Sequence, residues 1–150
     1  MSILSLPEFA DKLNEVIPAI MKEFARRQVN ELFEGKVTLP QFLLLEYLNA
    51  HGEAKMKDLA GVMQVTTAAM TGITDRLVKG GYTVRVFDPA DRRIIRLALT
   101  PRGTALVKKV RLQRREMAIR IFGRLPEADR RDYLRILTQI RDEVVKQHSS

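Results

Sequence analysis

The chain has 150 residues, 45% of them hydrophobic, with 26 Lys and Arg against 18 Asp and Glu, a net charge of +8 and no cysteine. This length suits one domain, or one domain with dimerising extensions, and the apolar content suffices for a core. Disulfides, thiolate metal sites and cysteine redox sensing are excluded, His51 and His148 are too few and too far apart in sequence for a metal site, and no apolar run approaches the roughly 18 residues of a membrane span.

The opening MSILSLPEFADK has neither the basic n-region nor the apolar h-region of a signal peptide, and reads as the start of a mature, cytoplasmic protein. Phe9, Leu13, Val16, Ile17, Ile20 and Phe24 then recur at helical spacing. Pro18 falls inside that run. A proline within a helix removes one hydrogen bond and costs ~3 kcal/mol, so a kink or a helix start is expected there. Thr38-Leu39-Pro40-Gln41 has the form of a capping box with proline in the first turn. It opens a helix that runs to about Ala50 and stops at His51-Gly52. Two short helices follow. The first, Lys55–Val62, carries Met56, Leu59 and Ala60. Met63-Gln64-Val65 makes the turn. Thr66 or Thr67 caps the second, which reaches about Lys79. Met70, Ile73 and Leu77 mark its inward side, while Thr67, Ala68, Thr71, Asp75, Arg76 and Lys79 face outward.

Gly80-Gly81 supplies a left-handed stop. Tyr82–Phe87 and Ile94–Leu99 are β-branched and aromatic and read as a hairpin, with Ile95, Leu97 and Leu99 on one face and Arg96 on the other. Its tip is Asp88-Pro89-Ala90-Asp91-Arg92-Arg93. Thr100-Pro101 caps a helix that reaches about Phe122, with Leu106, Val110, Gln113, Met117 and Ile121 on one stripe. Pro126 opens the last helix, where Glu127 and Asp129 suit the positive N-terminal dipole and Tyr133, Leu137, Ile140 and Val144 follow an a/d-like spacing. The order of elements predicts a mainly α fold with a small β-hairpin wing: a winged helix-turn-helix flanked by long N- and C-terminal helices. Residues 1–150 form a single domain on this reading, with a DNA-binding lobe at about 36–100 and dimerisation helices at about 1–35 and 101–150. The apolar stripes of the end helices need a partner, and a second copy supplies it most simply, since a two-fold interface uses one patch twice.

Charge is unevenly placed. Residues 1–50 hold 5 Lys/Arg and 7 Asp/Glu, residues 66–100 hold 6 and 3, and residues 101–122 hold 7 and 1. Such clustering is an electrostatic footprint for a polyanion, with a solvated basic helix face as the plainer alternative. Two adjacent arginines on a short projecting turn suit a narrow groove lined by phosphates. No nucleophile–base pair, Gly-rich phosphate loop or metal spacing is present, so an enzyme is not expected and no cofactor is called for. Asp88 and Asp91 read as turn residues. The rival to a DNA-binding regulator is a winged-helix interaction module that binds protein or RNA without a specific operator.

Leu59-Ala60, Thr71, Asp75-Arg76-Leu77, Gly81, Arg85, Asp88-Pro89, Asp91-Arg92-Arg93, Leu99-Thr100 and Gly103 together resemble the multiple antibiotic resistance regulator (MarR) family of bacterial transcription factors, over nearly the whole chain. The resemblance implies a homodimer with interlocked end helices and one winged helix per protomer. It implies a repressor that binds a pseudo-palindromic double-stranded operator. Thr66, Thr67 and Thr71 are candidates for base edges or phosphates, Arg76 and Lys79 for phosphates, and Arg85 for phosphate contact or support of the wing. Arg92 or Arg93 is the candidate for the minor groove. Arg93 is favoured because Asp91 can orient it by a salt bridge. Gly72, where the family often carries a longer polar side chain, reads no base, which points to weaker sequence preference or more dependence on DNA shape. The family also commonly responds to small aromatic acids. Phe24, Phe42, Tyr47 and His51 are candidates to line such an effector site, with Arg26 or Arg27 to pair a carboxylate, or these aromatics are ordinary core. Without cysteine, the peroxide-sensing branch of the family is excluded.

Overall fold

The computed structural model describes residues 3–31 and 37–148. Helix α1 spans Leu6–Glu31 and runs through Pro18 rather than starting at it. Ser5 begins it: its hydroxyl and amide both donate to the Glu8 carboxylate, at 2.6 and 2.9 Å, and the Glu8 amide returns to Ser5 Oγ at 3.4 Å. These bonds, the hydroxyl first, hold the Glu8 carboxyl below its ordinary pKa. Helix α2, Leu39–His51, opens on the expected capping box. The Gln41 side chain accepts from the Thr38 amide at 3.0 Å, and Thr38 Oγ1 accepts from the Gln41 amide at 3.4 Å. Gly52 closes α2 with φ of 80°.

Ala54–Lys55 forms a short strand, β1, where the sequence suggested the start of a helix. Lys55 is extended and precedes α3, Met56–Val62. The turn to α4, Thr67–Lys79, places Gln64 at φ of 52°, an uncommon left-handed conformation for a residue with a side chain. Strands β2, Thr83–Phe87, and β3, Ile95–Leu99, follow. The sheet is antiparallel and three-stranded in the order β1-β3-β2, so the expected two-stranded hairpin is enlarged by β1 on the far side of β3. Ala54 pairs with Leu97 there, while Arg85 faces Leu97 from the other side. Helix α5 spans Pro101–Phe122 and α6 spans Glu127–His148.

The chain divides into two compact units, 1–110 and 111–150. In the first, Phe42, Leu44, Leu45 and Leu48 of α2, Leu59 of α3, Met70 and Leu77 of α4, Leu97 of β3, and Val107 and Val110 of α5 form one core. Ile73 packs half-buried against this core, as its spacing predicts, and Thr74 beside it is fully buried, its hydroxyl contacting Met56 Sδ at 3.8 Å. By contrast, Phe9, Leu13, Val16, Ile17 and Ile20 of α1 are exposed in the isolated chain. In the second unit, the rings of Phe122 and Tyr133 stack at 5.3 Å, and Arg130 donates to the Leu125 carbonyl at 2.7 Å across the turn. Tyr133, Leu137, Ile140 and Val144 of α6 are likewise exposed.

The wing is fastened at its base. Thr100 Oγ1 donates to the Gly81 carbonyl at 2.5 Å and accepts from the Gly103 amide at 3.2 Å, capping α5 while holding the start of β2. Gly103 lies so close to this strand that a Cβ would sit 2.1 Å from the Tyr82 carbonyl oxygen. Gly103→Ala should therefore force α5 away from the wing and lower stability by about 3 kcal/mol, as overpacking against backbone does, read by thermal melting at fixed protein concentration. Thr83 Oγ1 is buried without a hydrogen-bond partner. Thr83→Val should raise stability by about 1 kcal/mol in the same assay, because it removes an unsatisfied polar group at nearly constant shape.

Candidate nucleic-acid interface

Helices α3 and α4 make a helix-turn-helix, and the sheet extends from the C-terminal end of α4. Thr66 caps α4, its hydroxyl accepting from the Ala69 amide at 3.1 Å. Thr67 is the first helical residue. Thr71 Oγ1 donates to the Thr67 carbonyl at 3.0 Å, so its proton is used within the helix. Its lone pairs and methyl remain for a ligand. Thr66, Thr67, Thr71, Arg76 and Lys79 are all exposed, and Arg76 and Lys79 form no ion pair among the described residues. Gly72 is exposed as well, with open space where a side chain would be. The outward face read from the sequence is the face that α4 presents.

The wing tip is shaped by its two aspartates. Asp88 Oδ1 accepts from the amides of Ala90 and Asp91 at 2.9 and 3.2 Å, and its other oxygen lies 3.6 Å from Arg96. The Ala90 and Asp91 amides, in that order, hold the Asp88 carboxyl below the ordinary aspartate range. Asp91 is lowered too, first by the Arg93 side chain and then by the Arg93 amide. Arg93 Nε and Nη2 donate to the two Asp91 oxygens at 3.1 and 3.2 Å, yet the side chain is 91% exposed. The guanidinium is thus aimed without being buried, and three of its five donors remain. Arg92 projects beside it with no ion pair among the described residues. Arg85 is not free: its guanidinium pairs with Asp75 of α4.

The structure also brings together residues that the sequence reading left apart. Lys55, Lys57, Thr67, Thr71 and Arg93 line an open groove of about 460 Å³ between the start of α3, the start of α4 and the wing. Lys55 and Lys57 belong to this face only because β1 pairs with β3. A two-residue strand has no periodicity to reveal that.

A model of the MarR family matches residues 37–95, the segment from the capping box of α2 through the wing tip. YsmB of Bacillus subtilis, an HTH-type transcriptional regulator, is 35% identical over 100 residues, which are 67% of this chain and 66% of that protein. The chain belongs to the MarR family. The HTH-type transcriptional repressor MdtR of Bacillus subtilis is 27% identical over 113 residues, 75% of this chain and 73% of MdtR. The crystal structure of RV1404 from Mycobacterium tuberculosis superposes with a TM-score of 0.81 at 28% identity, covering 95% of this chain and 96% of that one. The family is one of DNA-binding transcriptional regulators that are typically dimeric and are not enzymes, and the chain is a member of that class. Among the described residues, no helix is long and apolar enough to cross a membrane.

Of the residues expected to meet an effector, the side chains of Phe42, Tyr47, His51 and Arg26 are described. Phe42 is fully buried in the core, together with Leu44, Leu45 and Leu48 of the same helix. Tyr47 and His51, one helical turn apart, stack at 4.3 Å, and His51 Nδ1 lies 3.1 Å from the Tyr47 carbonyl oxygen. Arg26 pairs with Glu23 at 3.0 Å. The side chains of Phe24 and Arg27 lie outside the described residues.

The carboxylates at the wing tip set its pH dependence. Their folded pKa values lie below the ordinary ones, so the order they confer is present above the usual aspartate range and is lost only as pH falls through the lowered values. In an NMR titration, the amide shifts of Ala90, Asp91 and Arg93 should stay fixed from neutral pH to the top of that range and move only below it. Movement centred near pH 6 would contradict this account of the turn.

Proposed function

We propose that this MarR-family protein acts as a homodimeric repressor of a pseudo-palindromic operator, released by a small aromatic or carboxylate effector. Its lobe at about 36–100 would contact DNA, and the helices at about 1–35 and 101–150 would dimerise. The observation that carries the reading is the exposed cationic series Arg76, Lys79, Arg92 and Arg93 on one helix-turn-helix and its wing. Thr66, Thr67 and Thr71 meet the major groove, Arg76 and Lys79 meet phosphates, and Arg93, oriented by Asp91, enters the minor groove beside Arg92. Major-groove docking of two such helices requires half-sites about one turn, or roughly 10 base pairs, apart. The exposed apolar stripes on α1 and α6 support the dimer. The effector reading rests on the family resemblance. Tyr47 and His51 are the accessible aromatic pair, and Phe42 is buried in the core.

With Thr71 as its main polar side chain and Gly72 bare, α4 offers few groups for direct base readout, so DNA shape carries more of the specificity. Selection of bound duplexes from a random library at near-physiological salt tests the reading. The expected result is a palindrome bound at least ~10³-fold better than random DNA. Affinity without any enriched motif, collapsing as salt rises, would reject an operator. Arg92→Ala combined with Arg93→Ala should weaken operator binding by about 2 kcal/mol without changing the fold, measured by anisotropy titration beside circular dichroism. Unchanged affinity would remove the wing from the interface.

A further inference from the structure

Three aspartates hold three arginines along the path from α4 to the wing tip. Asp91 with Arg93 and Asp88 with Arg96 act inside the hairpin. Asp75 with Arg85 joins two separate elements, the recognition helix and strand β2. Arg85 stands directly opposite Leu97, which is fully buried at the centre of the sheet, so its backbone is among the most firmly held in the wing. Asp75 continues the exposed ridge of α4 that runs through Thr67 and Thr71 at four-residue intervals. A carboxylate on that ridge repels a polyanion, so its benefit has to lie elsewhere.

The geometry points to Asp75 and Arg85 as a positioning pair that fixes the wing against the recognition helix, setting the distance between the major-groove and minor-groove contacts. This rests on the reading of α4 and the wing as the DNA-contacting elements. Arg85 is then no phosphate ligand. Drawing it onto a phosphate would strip Asp75 of its partner and leave a bare carboxylate at the DNA surface. The side chain of Arg85 is 29% exposed and that of Asp75 60%, so the pair adds little to stability and variants remain folded.

The two roles predict opposite signs. Asp75→Asn, Arg85→Gln and the double variant are titrated with the selected duplex, with melting curves to verify folding. A positioning pair weakens binding roughly tenfold in either single variant, and the double variant is no worse than the weaker single. The loss disappears when Arg92 and Arg93 are both alanine, because the pair acts through the wing. Tighter binding by Asp75→Asn, with weaker binding and a salt slope reduced by about one in Arg85→Gln, would make Arg85 a phosphate ligand and overturn the proposal. A second readout needs no DNA. Relaxation dispersion of the amides of residues 86–96 in the free protein should show new exchange in both single variants alike. Its absence overturns the positioning role, whereas wild-type protein that prefers no duplex would count against the operator and leave this readout to decide the pair.

Discussion

The close approach of α5 to the start of β2 is the constraint on which the wing depends. Gly103 allows it by having no side chain, and Thr100 seals it by bonding both the helix it caps and the Gly81 carbonyl. Arg102 adds a cation–π contact over the Tyr82 ring, 4.7 Å from its centroid. The Gly81 backbone, at φ of 80°, makes the sharp turn out of α4 that brings Tyr82 to this place. Moving any one of these groups shifts the hairpin relative to the recognition helix. The pairing of β1 with β3 and the burial of Leu97 in the core hold the other side of this sheet.

Charge in this lobe is divided by role. The aspartates serve the protein: Asp88 organises the turn, Asp91 aims Arg93, and Asp75 holds Arg85. Arg76, Lys79 and Arg92 are left without carboxylate partners among the described residues. A net charge alone conceals this division. Exposed ion pairs contribute little free energy, yet they restrict where a guanidinium points. If this surface meets two grooves at once, as proposed, restriction of direction matters more than the stability the pairs supply.

On the proposed reading of α4 and the wing, the interface is weighted toward backbone-type contact. Thr71 donates its proton to its own helix, Gly72 is bare, and Ala68 and Ala69 carry only methyls. What such a helix can distinguish is mainly the thymine methyl and groove shape, so on that reading the placement of the wing would carry an unusual share of the recognition. That links the fastening at Gly103 to the chemistry at Arg93.

The amino-acid order by itself determined what depends on neighbours a few residues away. Thr38 and Gln41 cap α2, Thr100-Pro101 opens α5, and Asp91 meets Arg93, because each uses bonds that local helix or turn geometry dictates. Ser5 and Glu8 make the same kind of cap. The helical apolar spacing likewise placed Met70 and Leu77 inside. Tertiary structure alone decided that Ala54–Lys55 is a strand, since its partner Leu97 lies more than 40 residues on, and that Lys55 shares a groove with Thr71 and Arg93. It decided that Thr74 is fully buried beside the half-buried Ile73, that Phe42 is core, and that Asp75 takes Arg85. These outcomes depend on which elements approach one another. Periodicity tells which side of a helix turns inward, but only packing selects what waits there.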